Sequence, residues 1–591
     1  MKYLEAGKWV RILTWLFASG WLLFFGFSNE VPADTGDGLA HFFISQISWQ
    51  DPSYFFDHWG KPVFILLSSP FAQFGFSGMI IFNVLVFSAS MLIGYKLLDK
   101  LKVSAWLQSL LPLFLLTAKD YCLTVMGGLT EPLFNLALIV AALLLLQKRY
   151  LWLALLVSFM PFMRSEGQLP VLLVGVILAY NKEWKYFPIL LVGFVVYSIA
   201  GAFAHHDLLW YFTKSPYSMG NAIYGKGEWS HYFTSYRNYI GNPGIFMSIL
   251  GVIGAIGLLV KRRISELEID LSLLAYGTFV GVVFSHSYFW ATGQNGSIGL
   301  TRIATQGMPL FLIIQMTHWS RFSRREGSRI QWVYGVLSIP FIWSLVSNPK
   351  FPVLVNPMEK QLQSTWKFIN EQGVGNEKVY YHFPYLAHLM NENPLSKESR
   401  AIFTGFHQIE EDLKTKIPEG SFIVWDSHFG PVEAGRSAQE MRNTQGLILV
   451  GEFLFEGTEE DPKGVLLFQH VSETDSLPDY QVSTKSMDDL HLMFESKTEF
   501  INLFVGLLAT QRGSELICSI RSEEGTSLVF ESEEGGYTSF ELSEIGKELR
   551  FSIPKSGSSK LYVWNPNGKN GKIEITNVQL RSKKYPKVWK P

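Results

Sequence analysis

Long apolar runs dominate the first part of this chain and recur from the amino terminus to about residue 346. A helix needs roughly 20 mostly apolar residues to cross the hydrocarbon of a bilayer. Such runs predict membrane spans at residues 10–28, 77–98, 103–118, 130–147, 185–204, 243–260, 269–289, 299–318 and 330–346. The first part is therefore expected to be helical, because backbone groups in a membrane must pair within their own segment.

The composition of the whole chain indicates a mixture of membrane and water-soluble parts. Its 591 residues are too many for one globular domain. Only 17% of them are charged, against roughly 25% in soluble proteins, yet residues 347–591 read as a soluble polypeptide. The net charge of −1 argues against a nucleic-acid partner. Cys122 and Cys518 lie in different parts, so neither a disulfide framework nor a cysteine metal site is indicated.

Two stretches depart from the pattern of full-length runs. Residues 62–74 are short and bounded by proline, which indicates a segment lying at the membrane interface. Residues 151–163 and 167–180 are each short for a full crossing, and the polar tripeptide RSE lies between them at 164–166. This break predicts two thin spans that meet at a water-filled cavity.

Basic residues indicate the orientation, because they concentrate on the cytoplasmic side of a membrane. Counting the broken stretch as two spans puts the basic clusters on one side and gives about 11 spans. The amino terminus is then cytoplasmic, and the outer face receives residues 29–61, 119–129, 205–242, 290–298 and everything after 346. The first run lacks a clear small-residue cleavage site and is predicted to be an anchor.

The chain thus divides into a transmembrane domain at 1–346 and two predicted outer domains. Alternating helix and strand patterns predict a small α/β domain at 347–480. Short strands with alternating polarity and glycine turns predict an antiparallel β-sandwich, of jelly-roll type, at 490–591. Such a sandwich binds carbohydrate or serves as a structural cap, and fold alone does not decide between these roles.

The stretch VPADTGDGLAHFF at 31–43 places acidic residues just outside the first span. Ionisable groups beside a span are candidate functional residues. A carboxylate of Asp34 or Asp37 is suited to act as general base on an incoming hydroxyl. His41 follows Asp37 by one helical turn, where it is a candidate to orient that carboxylate or to bind ligand. The alternative is that the aspartates cap the helix that follows and that His41 is an ordinary surface residue.

Other candidate residues line the same predicted face. In DHWGKP, His58 and Lys61 are candidate ligand-binding residues, and Lys61 is suited to a phosphate; interfacial anchoring is the alternative. In GGLTEPLFN, Glu131 is a candidate binding residue or a first-turn helix glutamate. The aromatic loop at 205–242 is typical of a membrane-interface belt, and a metal site at His205-His206-Asp207 is only weakly indicated.

Two arginines are candidates for recognising an anion. Arg164 and Glu166 lie in the polar break, where they either pair with each other or bind an anionic ligand. Arg302 lies just inside a predicted span and is suited to bidentate phosphate binding, or else reaches out to the interface. The sequence has no Walker motif and no dinucleotide fingerprint, so nucleotide binding is unsupported.

In their order along the chain, these motifs resemble those of the multi-span glycosyltransferases of the C-type fold. That group includes protein O-mannosyltransferases and lipid A aminoarabinose transferases. The resemblance rests on DTGDGLAHFF, HWGKP, LTEPLFN, RSEG and GLTRIATQGMP, together with a soluble domain after the last span. It covers residues 1–346 well and the remainder loosely.

The resemblance implies an enzyme of the bacterial cytoplasmic membrane that uses a polyprenyl-phosphate-linked sugar as donor and a glycan, lipid or protein as acceptor. It further implies Asp37, with Asp34 as its neighbour, as the catalytic base and Arg302 or Arg164 as phosphate partner. Many members carry adjacent acids or a D-x-D pair, whereas this chain has Asp34-x-x-Asp37, so the use of a divalent metal stays open. Two rival functions are a transporter of lipid-linked glycans and a non-enzymatic membrane scaffold that binds envelope glycans.

Overall fold

The computed structural model describes most of the chain, with several gaps. The described residues are 2–216, 224–323, 339, 341–343, 345, 351–372, 377–457, 461–471, 481–486, 490–494, 500–507, 514–522, 527–532, 536–541, 547–553, 559–564 and 571–584. They separate into two compact units, Met1–Leu354 and Val355–Pro591.

The described part of the first unit is helical. Its principal helices are Lys2–Ser28, Asp37–Ile47, Pro62–Ala72, Phe76–Lys100, Ala105–Gln108, Leu110–Thr117, Lys119–Met126, Glu131–Leu146, Tyr150–Ser158, Gln168–Tyr180, Val192–His205, Trp210–Thr213, His231–Thr234, Tyr236–Tyr239, Asn242–Val260, Glu266–Thr292 and Met308–Phe322. Short 3₁₀ turns are Pro52–Phe56, Met160–Phe162, Ser165–Gly167, Trp184–Leu191 and Thr301–Thr305.

Five helices of the described residues are long and apolar enough to cross a membrane. They are Glu5–Ser28, Phe76–Lys100, Trp184–His205, Asn242–Val260 and Glu266–Thr292, and they overlap five of the predicted spans. A sixth crossing is counted if the pair Ala105–Thr117 and Lys119–Met126, bent by 80°, forms one span. The chain is a multi-pass membrane protein, and the number of 11 spans stays a prediction.

The remaining predicted spans correspond to shorter helices. Glu131–Leu146 and Met308–Phe322 have 16 and 15 residues, and the predicted span 330–346 lies largely outside the described residues. The polar break at 164–166 is present as an irregular stretch, with 3₁₀ turns between the helices Tyr150–Ser158 and Gln168–Tyr180. The interfacial segment predicted at 62–74 forms the helix Pro62–Ala72.

Glycines allow two of the late helices to approach closely. A Cβ added at Gly254 would lie 2.8 Å from the carbonyl oxygen of His318, and one at Gly251 would lie 2.0 Å from Oε1 of Gln315. Both glycines belong to Asn242–Val260, and both neighbours belong to Met308–Phe322. Small residues at helix contacts are typical of membrane bundles, where close van der Waals packing replaces the hydrophobic effect.

The second unit begins with a mixed sheet flanked by helices. Its strands are β1 (Val379–Tyr381), β2 (Ala401–Phe403), β3 (Phe422–Asp426), β4 (Leu447–Gly457) and β5 (Pro462–His470), in the order β2-β1-β3-β5-β4. The helices are Pro357–Glu371, Tyr385–Met390, Ile409–Thr415 and Ala438–Arg442. All five residues of β3 are buried, as expected for a strand that is covered on both faces.

The last part of the chain is all strand. Its strands are β6 (Gln481–Ser486), β7 (Leu490–Phe494), β8 (Phe500–Leu507), β9 (Ser514–Ser522), β10 (Ser527–Ser532), β11 (Gly536–Glu541), β12 (Lys547–Ile553), β13 (Ser559–Trp564) and β14 (Gly571–Lys584). They form two antiparallel sheets, β11-β10-β13-β8 and β12-β9-β14-β6, with β7 paired to β14. The domain boundaries at 347–480 and 490–591, and the sandwich itself, stay predictions.

Candidate active site

Two glycines allow the helix Asp37–Ile47 to lie close to a neighbouring turn. A Cβ added at Gly38 would lie 2.0 Å from the carbonyl oxygen of Gly127, so only glycine permits this approach. The contact brings the start of Asp37–Ile47 against the GG turn that precedes Glu131. Two motifs separated by about 90 residues of sequence therefore meet at one place.

Arg302 pairs with both aspartates of the stretch 31–43. Its Nη1 donates to Oδ2 of Asp34 and its Nη2 donates to Oδ2 of Asp37. Asp34 also accepts a hydrogen bond from the backbone N–H of Gly38 at 2.8 Å, so it stabilises the start of the helix as well as pairing with the arginine. The side chain of Asp37 is 44% exposed, whereas that of Asp34 is only 12% exposed. Of the two carboxylates, Asp37 is the accessible one.

A second buried cluster is centred on Arg164. Its Nη1 lies 2.9 Å from Oε1 of Glu131 and donates to Oγ1 of Thr130 at 2.6 Å, while its Nη2 lies 3.2 Å from Oε1 of Glu166. The expected pairing of Arg164 with Glu166 is present, and the first-turn position of Glu131 is present too. The side chain of Glu131 is only 2% exposed, so this carboxylate depends on Arg164 for charge compensation.

Sequence reasoning missed two further residues that contact Glu166, on the same oxygen that Arg164 contacts. Gln306 Nε2 donates to Oε1 of Glu166 at 2.9 Å, and His286 Nε2 lies 3.2 Å from the same oxygen. His286 lies within the candidate span Glu266–Thr292, and an ionisable residue inside an apolar run is the signal that would have identified it. Gln306 carries no comparable signal, because its polarity is ordinary at the start of a helix.

Lys61 is buried beside the same cluster. Its ammonium donates to the carbonyl oxygen of His58 and to Oγ of Ser165, each at 3.1 Å. Burial lowers the pKa of Lys61 to about 7, although the carboxylate of Glu166 opposes this shift. The ring of His58 stacks on Tyr211 at 4.8 Å between centroids, and its Nε2 lies 2.9 Å from the Tyr211 carbonyl oxygen. His58 therefore positions the loop that carries Lys61.

His41 is buried rather than on the surface, which corrects one of the two expectations for it. Only 5% of the residue is exposed, and its ring stacks on Trp59 at 4.5 Å between centroids. Burial and the positive charge of Arg164 lower its pKa well below the ordinary value, so the ring is neutral. Its role in the structure is to pack the helix Asp37–Ile47 against the HWGKP loop.

The protonation of Asp37 reflects two opposing influences. The protein atoms around its carboxyl group reduce hydration and raise the pKa to about 6, even though a large part of the side chain can be reached by solvent. The charge of Arg302 opposes this shift, and the neighbouring carboxylates of Asp34 and Glu131 add to it. A carboxylate with a pKa slightly below neutral is suited to accept a proton at physiological pH.

The structure thus brings the nine predicted site residues, three of them basic, into one region. Four carboxylates surround two arginines and one lysine; the nine residues are Asp34, Asp37, His41, His58, Lys61, Glu131, Arg164, Glu166 and Arg302. Within the described ranges, no group of three or more His, Cys, Asp or Glu side chains has the geometry to hold a metal ion. The same holds for the weakly indicated site at His205-His206-Asp207.

Comparisons with known proteins find similarity in structure alone. No family model matches the chain, and no curated protein matches it by sequence. The structure of ArnT from Cupriavidus metallidurans in the apo state is 8% identical, covers 79% of this chain and 98% of its own, and has a TM-score of 0.49. ArnT from the same organism bound to undecaprenyl phosphate is 9% identical, covers 80% of this chain and 98% of its own, and has a TM-score of 0.47.

A third similar structure is the arabinosyltransferase EmbB from Mycobacterium smegmatis. It is 9% identical, covers 96% of this chain and 64% of its own, and has a TM-score of 0.33. ArnT, a lipid A aminoarabinose transferase, and EmbB both belong to the membrane glycosyltransferases of the C-type fold, the group that the order of the motifs indicated. At this level of likeness, the activity of the chain has to be argued from its own side chains.

Proposed function

We propose that this chain is a membrane glycosyltransferase that moves a sugar from a polyprenyl-phosphate-linked donor to an acceptor on the outer face of the bacterial cytoplasmic membrane. The observation that carries the proposal is Asp37. Its carboxylate is accessible, is held by Arg302 and lies at the start of a helix. Three further ion pairs lie nearby: Arg302–Asp34, Arg164–Glu131 and Arg164–Glu166. A solvated surface pair would not need the buried second cluster of Arg164, Glu131 and Glu166 behind it.

The proposed reaction is a direct displacement at the anomeric carbon. Asp37 takes the proton from the acceptor hydroxyl as that oxygen forms a bond to the sugar carbon. The bond from the same carbon to the phosphate oxygen breaks, and its electron pair leaves with the polyprenyl phosphate. Attack from the side opposite the phosphate inverts the configuration at the anomeric carbon. The orienting contact from Arg302 keeps one oxygen of Asp37 occupied and leaves the other for the hydroxyl.

The phosphate of the donor needs positive charge that is already partly desolvated. Lys61 and Arg164 supply it, because both side chains are largely buried. Arg164 lies in the polar break, and Lys61 contacts Ser165 of that break. A buried cation binds phosphate more strongly than an exposed one, since less water has to be removed when the ligand arrives. Ser165 follows Arg164 in the sequence, and its hydroxyl accepts from Lys61. No step of the proposed reaction is routed through a metal ion.

The acceptor is proposed to be a hydroxyl of an envelope glycan, a lipid or a protein. The predicted topology places the site and the whole second unit outside the membrane, where nucleotide-sugars of the cytosol are not available. A carrier lipid delivers an activated sugar to that face, and the apolar surface of the helices offers such a lipid a place to lie. Exposed apolar side chains such as Leu66 and Phe74, 55% and 79% exposed, are consistent with contact to lipid.

The test is the release of the carrier. Purified protein in liposomes is supplied with synthetic undecaprenyl-phosphate hexoses and pentoses and with an envelope extract as acceptor. Undecaprenyl phosphate is the lipid held by the second ArnT structure. The expected result is acceptor-dependent release of undecaprenyl phosphate. A transporter would change the leaflet of the lipid-linked sugar without releasing the carrier, and a scaffold would do neither; both results would overturn the proposal.

A second measurement checks the predicted orientation. A periplasmic reporter fused after residue 591 is expected to be active, because an odd number of spans follows a cytoplasmic amino terminus. A matched fusion after residue 263, in the basic stretch KRR, is expected to be inactive. The reverse pattern would place Asp37 in the cytoplasm and remove the reason for a lipid-linked donor.

A further inference from the structure

The three parallel strands of the second unit have connections that lead to opposite sides of β1. β1 pairs with β2 on one side and with β3 on the other, both in parallel. The chain passes from β1 to β2 and then crosses to β3 on the far side, so a topological switch point lies between β1 and β3. In open α/β sheets, ligands bind in the crevice outside the carboxyl ends of the strands at such a point.

The residues at these strand ends are polar and mutually close. His382 follows β1; its Nδ1 lies 2.9 Å from the carbonyl oxygen of Thr404, which follows β2, and its Nε2 lies 3.4 Å from Oε2 of Glu433. Asp426 is the last residue of β3, and its Oδ1 accepts from the backbone N–H groups of His428 and Phe429 at 3.0 and 2.7 Å.

One oxygen of Asp426 has no hydrogen-bond partner among the described residues. The residue is 1% exposed, and its Oδ2 is buried without a partner. A buried carboxylate oxygen that is left unsatisfied costs free energy, so its presence at a strand end indicates a ligand donor. Burial by itself would lower the pKa of His382, but the hydrogen bond to Glu433 and the charge of Asp426 raise it above the ordinary value.

Aromatic rings border these polar groups. Phe403, the last residue of β2, is 48% exposed, and its ring lies 4.6 Å from that of His382 between centroids. On the other side, Phe383 lies 4.9 Å from Phe429, which lies 4.4 Å from His428. Phe403 thus offers an exposed aromatic face beside His382, and covering that face with a ligand would remove apolar surface from water.

We propose that this carboxyl edge of the sheet, formed by His382, Phe403, Asp426 and Glu433, binds one sugar ring of an uncharged glycan. Carboxylate oxygens accept hydrogen bonds from sugar hydroxyls, and the face of Phe403 covers the apolar face of the ring. The carboxylates of Asp426 and Glu433 repel like charge and so disfavour a phosphate or another anion beside them. The inference concerns the second unit alone and stands whether or not the first unit transfers sugars.

The test uses the full-length protein in a detergent without a sugar head group, such as a dimethylamine oxide, because a maltoside would compete for the site. Methyl α-mannopyranoside, methyl β-galactopyranoside and N-acetylglucosamine are titrated, and binding is followed by saturation-transfer NMR. At least one of these sugars is expected to bind with a Kd in the millimolar range. Ethanolamine, a small cation, is titrated as well, to test whether the site binds a cation instead of a sugar.

Two variants and one control locate the site. Phe403→Ala removes an exposed ring, and Glu433→Gln removes one carboxylate charge; each is expected to raise the Kd at least fivefold. Glu411→Gln, on the exposed face of the helix Ile409–Thr415, is the matched control and is expected to leave the Kd unchanged. Thermal unfolding of each variant checks that the fold is retained.

Four results would overturn the proposal. They are no binding of any of the three sugars, equal binding by Glu433→Gln and wild type, a loss of binding in Glu411→Gln as large as in Glu433→Gln, and tighter binding of ethanolamine than of the sugars. The last result would identify a cation site instead. If Phe403→Ala lowers the unfolding temperature, its loss of binding reflects the fold, and the proposal is then judged on the Kd of Glu433→Gln alone.

Discussion

The substitution Asp37→Asn tests the centre of the proposed mechanism. Asparagine retains the shape of the side chain and an oxygen that can accept from Arg302, but it cannot take a proton from the acceptor hydroxyl. Asp37 contacts Arg302 and, at 44% exposure, is open to an incoming hydroxyl. We therefore expect the change to act on the chemical step and to leave the binding of the donor phosphate nearly intact.

The expected magnitude follows from the role of a general base. Positioned acid–base groups contribute about 10²- to 10⁴-fold in rate, which corresponds to roughly 3–5 kcal/mol of transition-state stabilisation. The variant should lose activity in that range, while its KM for the donor stays within about threefold of the wild-type value, because uniform binding is unchanged. The assay is the initial rate of undecaprenyl phosphate release in liposomes at several donor concentrations.

Two control variants separate catalysis from structure. Asp34→Asn keeps an oxygen that accepts from the Gly38 N–H and removes only charge from a carboxylate that is 12% exposed, so we expect about a tenfold loss. Asp51→Asn, at an exposed position of the same loop, should change nothing. The reasoning would be refuted if Asp37→Asn retained full activity, or if Asp34→Asn lost more activity than Asp37→Asn.

Four further outcomes are expected. Because the pKa of Asp37 is raised to about 6, kcat/KM should fall about tenfold per pH unit below pH 6; a value unchanged between pH 7 and pH 5 would contradict this. Because the pKa of Lys61 is about 7, its positive charge is lost as pH rises through that value. Binding of undecaprenyl phosphate, measured by fluorescence quenching, should therefore weaken above pH 7. Lys61→Arg should abolish that pH dependence. Glu131→Gln removes a partner of a buried ion pair and should lower the unfolding midpoint by several degrees in detergent; an unchanged midpoint would show that the pair contributes no net stability. Gly38→Ala places a Cβ 2.0 Å from the Gly127 carbonyl oxygen and should lower both stability and activity, whereas Ala40→Gly, two residues on in the same helix, should cost only about 1 kcal/mol.

Several properties could be read from the sequence because they depend on neighbours along the chain. Apolar runs such as 77–98 and 243–260 predicted helices that the structure contains, since a span must bury its own side chains and satisfy its own backbone. The polar break at 164–166 was visible because charged residues are costly inside an apolar run. Strand patterns after residue 377 were equally local, and the sheet strands follow them.

Other properties depend on residues that are far apart in the sequence. Nothing near Asp37 indicates that Arg302, 265 positions later, pairs with it, or that Asp34 both stabilises the helix start and pairs with the same arginine. Gln306 was missed for the same reason, since its only distinction is its contact with Glu166, 140 positions earlier. His41 was placed wrongly at the surface in one interpretation, because its burial depends on Trp59 and Phe64 from another segment.

The sequence by itself determined that the chain crosses a membrane several times, that a soluble part follows, and which ionisable residues are exceptional for their surroundings. These follow from hydropathy, which is summed over about 20 consecutive residues. Only the tertiary structure decided which carboxylate is accessible, which cation holds it, and that the strand ends of the second unit gather His382 and Glu433. Ion pairing and burial depend on distances across the folded chain, and packing sets those distances only after the helices and strands have assembled.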